Sequence, residues 1–234
     1  MKDDFQSYSF GRNGSITPVA TRNRVLRNTY WLLALSMIPS VLGAWLGVST
    51  GFSLLNATSP GLSFILFMAI AFGFMFAIER FKNSGIGVAL LLGFTFFMGL
   101  MLSRLLSFVL GFSNGASLIM LAFGGTSVIF TVMASIATVS KRDFSGLSKW
   151  LFMGVIVLIL ASIANIWLKL PALMITVSVM ATVIFSAYML FDVQRVVNGG
   201  ETNYIRAALA IYLDIYNVFA NLLMLLGIFG GNRN

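Results

Sequence analysis

Apolar residues run through this chain in seven long stretches, at about 30–49, 61–78, 85–111, 115–139, 150–168, 172–194 and 207–229, with polar positions confined to the short gaps between them. A helix needs ~20 mostly apolar residues to cross the hydrocarbon core of a bilayer, and all seven stretches are near or above that length. The pattern predicts an all-α, polytopic integral membrane protein, a bundle of seven transmembrane helices. Residues 112–115 and 169–171 are so few that the helices they join must form antiparallel hairpins. Polar residues dominate only the first 28 positions, which read as a flexible cytoplasmic tail, and 29–234 read as the membrane domain. The first apolar stretch is too long and starts too late for a cleavable signal peptide, so it is expected to remain as a span.

Composition agrees with the pattern, since 59% of residues are hydrophobic, 9% are charged and the mean hydropathy is +0.94. The lipid bilayer is therefore the first partner of this surface. Trp31, Trp150 and Trp167 fall near stretch ends, where an amphipathic ring favours the interface. Small residues recur inside the spans: Gly43 and Gly47, Gly93 and Gly99, Gly124, Gly125 and Thr126, then Ala134, Ser135 and Ala137. Lipid offers no hydrophobic force between helices, so such residues are expected where backbones approach closely. The 13 methionines are dispersed among apolar neighbours and read as core filler. The Asn56-Ala57-Thr58 sequon falls in an outer loop and matters only in a secretory-pathway organism.

The net charge of +8 is a topology signal rather than a nucleic-acid footprint, because the cations are scattered beside spans. Lys2, Arg12, Arg22, Arg24, Arg27, Arg80, Lys82, Lys141, Arg142, Lys149, Arg195 and Arg206 all fall on one side of a seven-span topology. Lys169 and Arg233 are left for the other. By the excess of Lys and Arg in retained loops, the amino terminus is cytoplasmic and the carboxyl terminus lies outside.

Against this background, two acids inside apolar stretches carry the candidate chemistry. Asp192 and Asp214 lie in the sixth and seventh spans of a chain with only seven acidic residues and no histidine or cysteine. An ionised carboxylate in hydrocarbon costs at least ~2.5–3.5 kcal/mol, so an intramembrane acid marks a functional site whose partner must be found. Here each aspartate is the other's candidate partner. Asp214 lies ~12 Å beyond Arg206 on a helix, whereas Asp192 is about a turn inside the inner interface, so straight helices would set them several ångströms apart in depth. If the two meet in a low dielectric they cannot both ionise, and the pair shares a proton. Without histidine, such a pair is the best remaining proton sensor. Asn217 and Asn221 share the Asp214 face at i, i+3 and i+7, and Asn165 on the fifth span is a candidate to face them. Deprotonated, the two carboxylates and these amides are hard-oxygen ligands of the kind Ca²⁺ accepts. The plain structural alternative is that each aspartate pins helices through Arg80, Lys82 or Arg195. Arg104, near the outer end of the third span, is expected to snorkel to the headgroups.

Several motifs carry a resemblance over nearly everything after residue 24: Val25-Leu26-Arg27-Asn28-Thr29-Tyr30, the Phe94 to Ser103 run, the Phe123 to Phe130 run, Phe191-Asp192, Gly199-Gly200-Glu201-Thr202-Asn203-Tyr204-Ile205-Arg206 and Tyr212-Leu213-Asp214-Ile215-Tyr216-Asn217. On these the chain resembles the transmembrane Bax inhibitor motif family, the Bax-inhibitor-one-like proteins, in particular a bacterial branch. The resemblance implies a bundle whose seventh helix is central, and a pH-sensitive Ca²⁺ leak gated by a di-aspartyl unit at Asp192 and Asp214. An arginine at the inner end of the second helix latches that unit in the family, which makes Arg80 or Lys82 the matching candidate. The same branch implies an alternative role, as partner or modulator of a membrane-anchored quality-control protease in a bacterial cytoplasmic membrane, without ion conduction. The family often has proline where this chain has Arg104, and a cation beside an outer vestibule is expected to discourage divalent entry. No resident cofactor is implied, and Ca²⁺ enters as a transported ion.

A catalytic rival uses the same layout, since intramembrane aspartyl proteases also carry acids on neighbouring sixth and seventh spans. They need Gly-x-Gly-Asp at the second acid, and Ile211-Tyr212-Leu213-Asp214 lacks both glycines. Serine or cysteine hydrolysis fails for want of a histidine base. The expected protein is not an enzyme.

Overall fold

A computed structural model describes residues 19–52 and 60–232. Within them the chain forms seven helices and no strand: α1 Val19–Thr50, α2 Pro60–Phe81, α3 Gly85–Leu110, α4 Gly115–Val139, α5 Leu147–Leu168, α6 Pro171–Val197 and α7 Tyr204–Gly230. All seven are long and apolar enough to span a bilayer. Helices are the expected answer because hydrocarbon offers no partner for an open backbone N–H or carbonyl. The sequon at Asn56 and the cations Lys2, Arg12 and Arg233 lie outside the described residues. Helix α1 begins at Val19, inside the segment expected to be tail, so its 32 residues reach about 48 Å, longer than a ~30 Å hydrocarbon core. The surplus at its amino-terminal end is packed, because Val25 buries against Val196 and Ala207 of the α6 and α7 hairpin.

Helix α7 is the axis of the bundle, packing against α1, α2, α3, α4 and α6, while α5 lies at the periphery along α6. Two buried clusters surround the axis. One joins Leu33, Ile78, Leu91, Phe94, Met98, Val193, Ile205, Ile211 and Tyr212 across most of the helices. The other lies toward the opposite end and holds Val109, Phe112, Leu118, Ala122 and Leu223. Large apolar side chains such as Trp31, Trp150, Trp167, Phe76 and Val139 instead stand outward, as a lipid-facing surface requires.

The most extensive helix contact, α1 on α3, is built on glycine. A Cβ on Gly43 would overlap the Phe96 carbonyl oxygen, one on Gly99 the Ser40 carbonyl oxygen, and one on Gly47 the Ser103 side chain. Beside that crossing Ser40 Oγ bonds Tyr212 Oη at 2.8 Å and donates to the Thr95 carbonyl at 3.1 Å, tying α1, α3 and α7 together with polar groups satisfied in the interior. Thr126 and Ala137 on α4 are buried as expected, but Gly124 and Ser135 are not contact positions. Nothing lies near an added Gly124 Cβ, and Ser135 turns its hydroxyl to the Thr131 carbonyl of its own helix. Composition marked them as packing residues, while their phase on α4 points them outward.

The connections match the short gaps in the pattern. Lys169 in the left-handed region at φ 51° turns the chain from α5 into Pro171 at the start of α6. Asn203 caps α7, its Oδ1 accepting from the Ile205 and Arg206 N–H groups while its Nδ2 reaches the Lys82 carbonyl and Asn83 Oδ1 of the α2 to α3 turn. Replacing Asn203 with alanine is expected to cost about 1–2 kcal/mol, read as a lower thermal midpoint in detergent. At the opposite end Asn114 donates to the Gly230 carbonyl at 2.7 Å and accepts from the Asn232 N–H at 3.0 Å, so the α3 to α4 turn clasps the end of α7.

Candidate functional site

The sixth and seventh helices are antiparallel neighbours in close contact, and this places Asp192, about a turn before the end of α6, against the first half of α7. Counted along level helices the two acids differ by about five residues, or ~7.5 Å, in distance from the connector. That offset does not keep them apart. The Asp192 and Asp214 side chains lie within hydrogen-bonding reach of each other. Asp214 is 4% exposed, and no N–H or O–H donor among the described residues serves its Oδ2. A carboxylate cannot donate, so a bond between the two requires a proton on one of them. Tyr188, a turn before Asp192 on α6, sets its phenol close enough to both carboxyls for their charges to act on it.

The polar stripe of α7 continues from the pair, although its amides are engaged along their own helix. Asn217 Nδ2 donates to the Leu213 carbonyl and Asn221 Nδ2 to the Asn217 carbonyl, each at 2.8 Å. Asn165 does not join them. It lies in the last turn of α5, where its Oδ1 accepts the Leu170 N–H at 2.9 Å, and α5 packs on α6 rather than α7. Among the described residues no group of three or more acids assembles, so the carboxylate set is a pair. Ca²⁺ takes six to eight oxygens, and this pair alone would have to be completed by water and backbone carbonyls.

None of the three candidate latches is seated on the pair. Arg80 is exposed and makes no ion pair among the described residues. Lys82 bonds Glu79, its neighbour one turn back. Arg195 is the nearest, since its charge acts on the Asp192 carboxyl, but its guanidinium is engaged by Glu201 at 2.9 Å. Arg104 is exposed, as a snorkelling cation should be.

Sequence reasoning missed three residues here. Glu201 is a buried carboxylate in the α6 to α7 connector, reachable from sequence only through the Gly-Gly turn that folds it back. Gln194 is 3% exposed and pins the α4 to α5 loop, accepting the Phe144 N–H at 2.8 Å and donating to the Arg142 carbonyl at 2.7 Å. Tyr188 could have been found from its i, i+4 spacing to Asp192. In the loop that Gln194 holds, the Ser145 N–H and hydroxyl hold the Asp143 carboxyl below the usual carboxylate range.

Comparison with known proteins places this geometry in a family. Residues 22–233 match the family described as inhibitor of apoptosis-promoting Bax1. The chain is 36% identical over 211 residues to the modulator of FtsH protease YccA of Escherichia coli K12, covering 90% of this chain and 93% of that protein. It is 34% identical over 207 residues to an uncharacterised protein of Neisseria meningitidis serogroup B, covering 88% and 91%. It is also 33% identical over 223 residues to an uncharacterised membrane protein of Vibrio cholerae, covering 95% and 97%.

Proposed function

This chain belongs to the inhibitor of apoptosis-promoting Bax1 family, and from that premise we propose that it modulates a membrane-anchored quality-control protease from within the bacterial cytoplasmic membrane. The observation that carries the reading is the near full-length likeness to a protein named as a modulator of FtsH protease. A modulator needs two conformations that respond to something, and the Asp192 and Asp214 pair supplies the responsive element. With one proton shared the pair bonds α6 to the central α7. Without it, two like charges face each other in a low dielectric and Asp214 Oδ2 has no donor, which favours separation. The proposed orientation keeps the amino terminus in the cytoplasm, supported by the cations at the ends of α1, α2, α4 and α6.

A second reading, a pH-sensitive Ca²⁺ leak, is supported by one specific observation. The carboxyl pair lies at membrane depth on the axis of the bundle, where a passing cation would meet it, and Asn217 and Asn221 continue the same face outward. One set of proteoliposomes tests both. The modulator reading expects the rate of proteolysis by a co-reconstituted membrane protease to change when the chain is present, and to change with pH. The leak reading expects Ca²⁺ entry into dye-loaded vesicles holding the chain alone. Unchanged proteolysis with measurable Ca²⁺ entry would overturn the first reading in favour of the second.

A further inference from the structure

Below the carboxyl pair, at the end of the bundle where α6 turns into α7, a single buried acid organises the cations. Glu201 is 7% exposed, and its Oε2 lies 2.9 Å from Arg195 Nη2 and 3.7 Å from Arg206 Nε, while Oε1 accepts the Asn203 N–H at 3.0 Å. Arg206 also reaches Glu79 of α2 at 3.3 Å, and Glu79 in turn bonds Lys82. A carboxylate this buried is tolerated only with such partners, and both arginines of the hairpin are drawn to it.

Arg195 has a second acid within range. It follows Asp192 by three residues on α6, which puts the two on neighbouring positions of one face. The charged or titratable groups around Asp192 are Asp214 on α7, Tyr188 and Arg195 on α6, and Glu201 in the connector. The charge of Arg195 therefore acts on Asp192 while its guanidinium is seated on Glu201.

We propose that Glu201 is a positioning residue that holds Arg195 away from Asp192, and that release of Arg195 from Glu201 lets it capture Asp192 and part the carboxyl pair. This rests on the reading of the pair as the element that holds α6 and α7 together. In that arrangement Glu201 couples the connector, and through Arg206 and Glu79 also α2, to the interior of the bundle. A partner that pulls on the connector would thus open the pair from outside the membrane.

The chain has no native cysteine, so a spin-label pair at Asn198→Cys and Ser84→Cys, both exposed, can report the distance between the connector and the α2 to α3 turn in nanodiscs. Glu201→Gln is expected to lengthen and broaden that distance. The double variant Glu201→Gln/Arg195→Gln is expected to recover the parent distribution, because no cation remains to capture Asp192. A clasp that is merely structural predicts the reverse, with the double variant as wide as the single one, and that result would overturn the proposal. Should Glu201→Gln fail to fold, Arg195→Gln alone decides: the closed distance supports the proposal, and a widened one refutes it. The underlying reading is checked separately by Asp192→Leu, which removes the pair outright. An unchanged distance in that variant would sink the latch itself, whatever the Glu201 variants show.

Discussion

Alanine at Gly43 or Gly99 is expected to unseat α1 from α3 and to cost about 3 kcal/mol or more, observed as loss of folded protein in mild detergent and a collapse of the thermal midpoint. The cost arises because the added Cβ meets backbone rather than the end of a flexible side chain. At Gly43 it meets the Phe96 carbonyl oxygen, and at Gly99 the Ser40 carbonyl oxygen, so the helices must separate along their whole crossing. Separation also breaks the Ser40 to Tyr212 hydrogen bond at 2.8 Å, which leaves polar groups unpaired next to the central helix. Gly73 and Gly124 serve as controls on the same scale. Nothing lies within 4 Å of an added Cβ at either, and alanine there is expected to be neutral or to stabilise by up to about 1 kcal/mol through helix propensity.

The second large effect is on pH response rather than stability. Asp192→Asn and Asp214→Asn each keep a hydrogen bond across α6 and α7 but remove one titrating carboxyl, so either change is expected to abolish the pH dependence of the Asn198 to Ser84 spin-label distance. In the parent protein the sign follows from the shared proton. Acidic conditions are expected to keep a proton between the carboxyls and the distance short, and raising pH to remove it, replace a bond by repulsion and lengthen the distance. Titration of the three proteins between pH 5 and 9 checks this, and a pH response surviving in both variants would assign the sensor to another group.

Fold and site differ in how legible they are in the sequence, for a physical reason. Span number and limits follow from hydropathy, a property summed over ~20 residues and insensitive to any one of them. The centrality of α7 came instead from resemblance, because periodicity tells which face of a helix is apolar but not which helix it meets. The α1 extension at 19–29 was missed because propensity and packing by Val25, not hydropathy, make it helical. Asp192 and Asp214 stood out since charges are rare in apolar runs. Glu201 did not, being an ordinary acid in a polar turn whose burial depends on how Gly199, at φ 77°, folds the connector back. Asn165 and Ser135 failed in the opposite direction, as polar residues in spans that answer to their own helix rather than to the bundle.

We propose that one proton is shared between Asp192 and Asp214 at neutral pH. Infrared spectroscopy of the reconstituted protein detects it directly as the stretching band of a protonated carboxyl group, with Asp192→Asn and Asp214→Asn as references. Such a band is expected at neutral pH in the parent protein, weakening as pH rises and absent from both variants. A parent protein with no protonated carboxyl at neutral pH, or a band that persists unchanged in both variants, would contradict it.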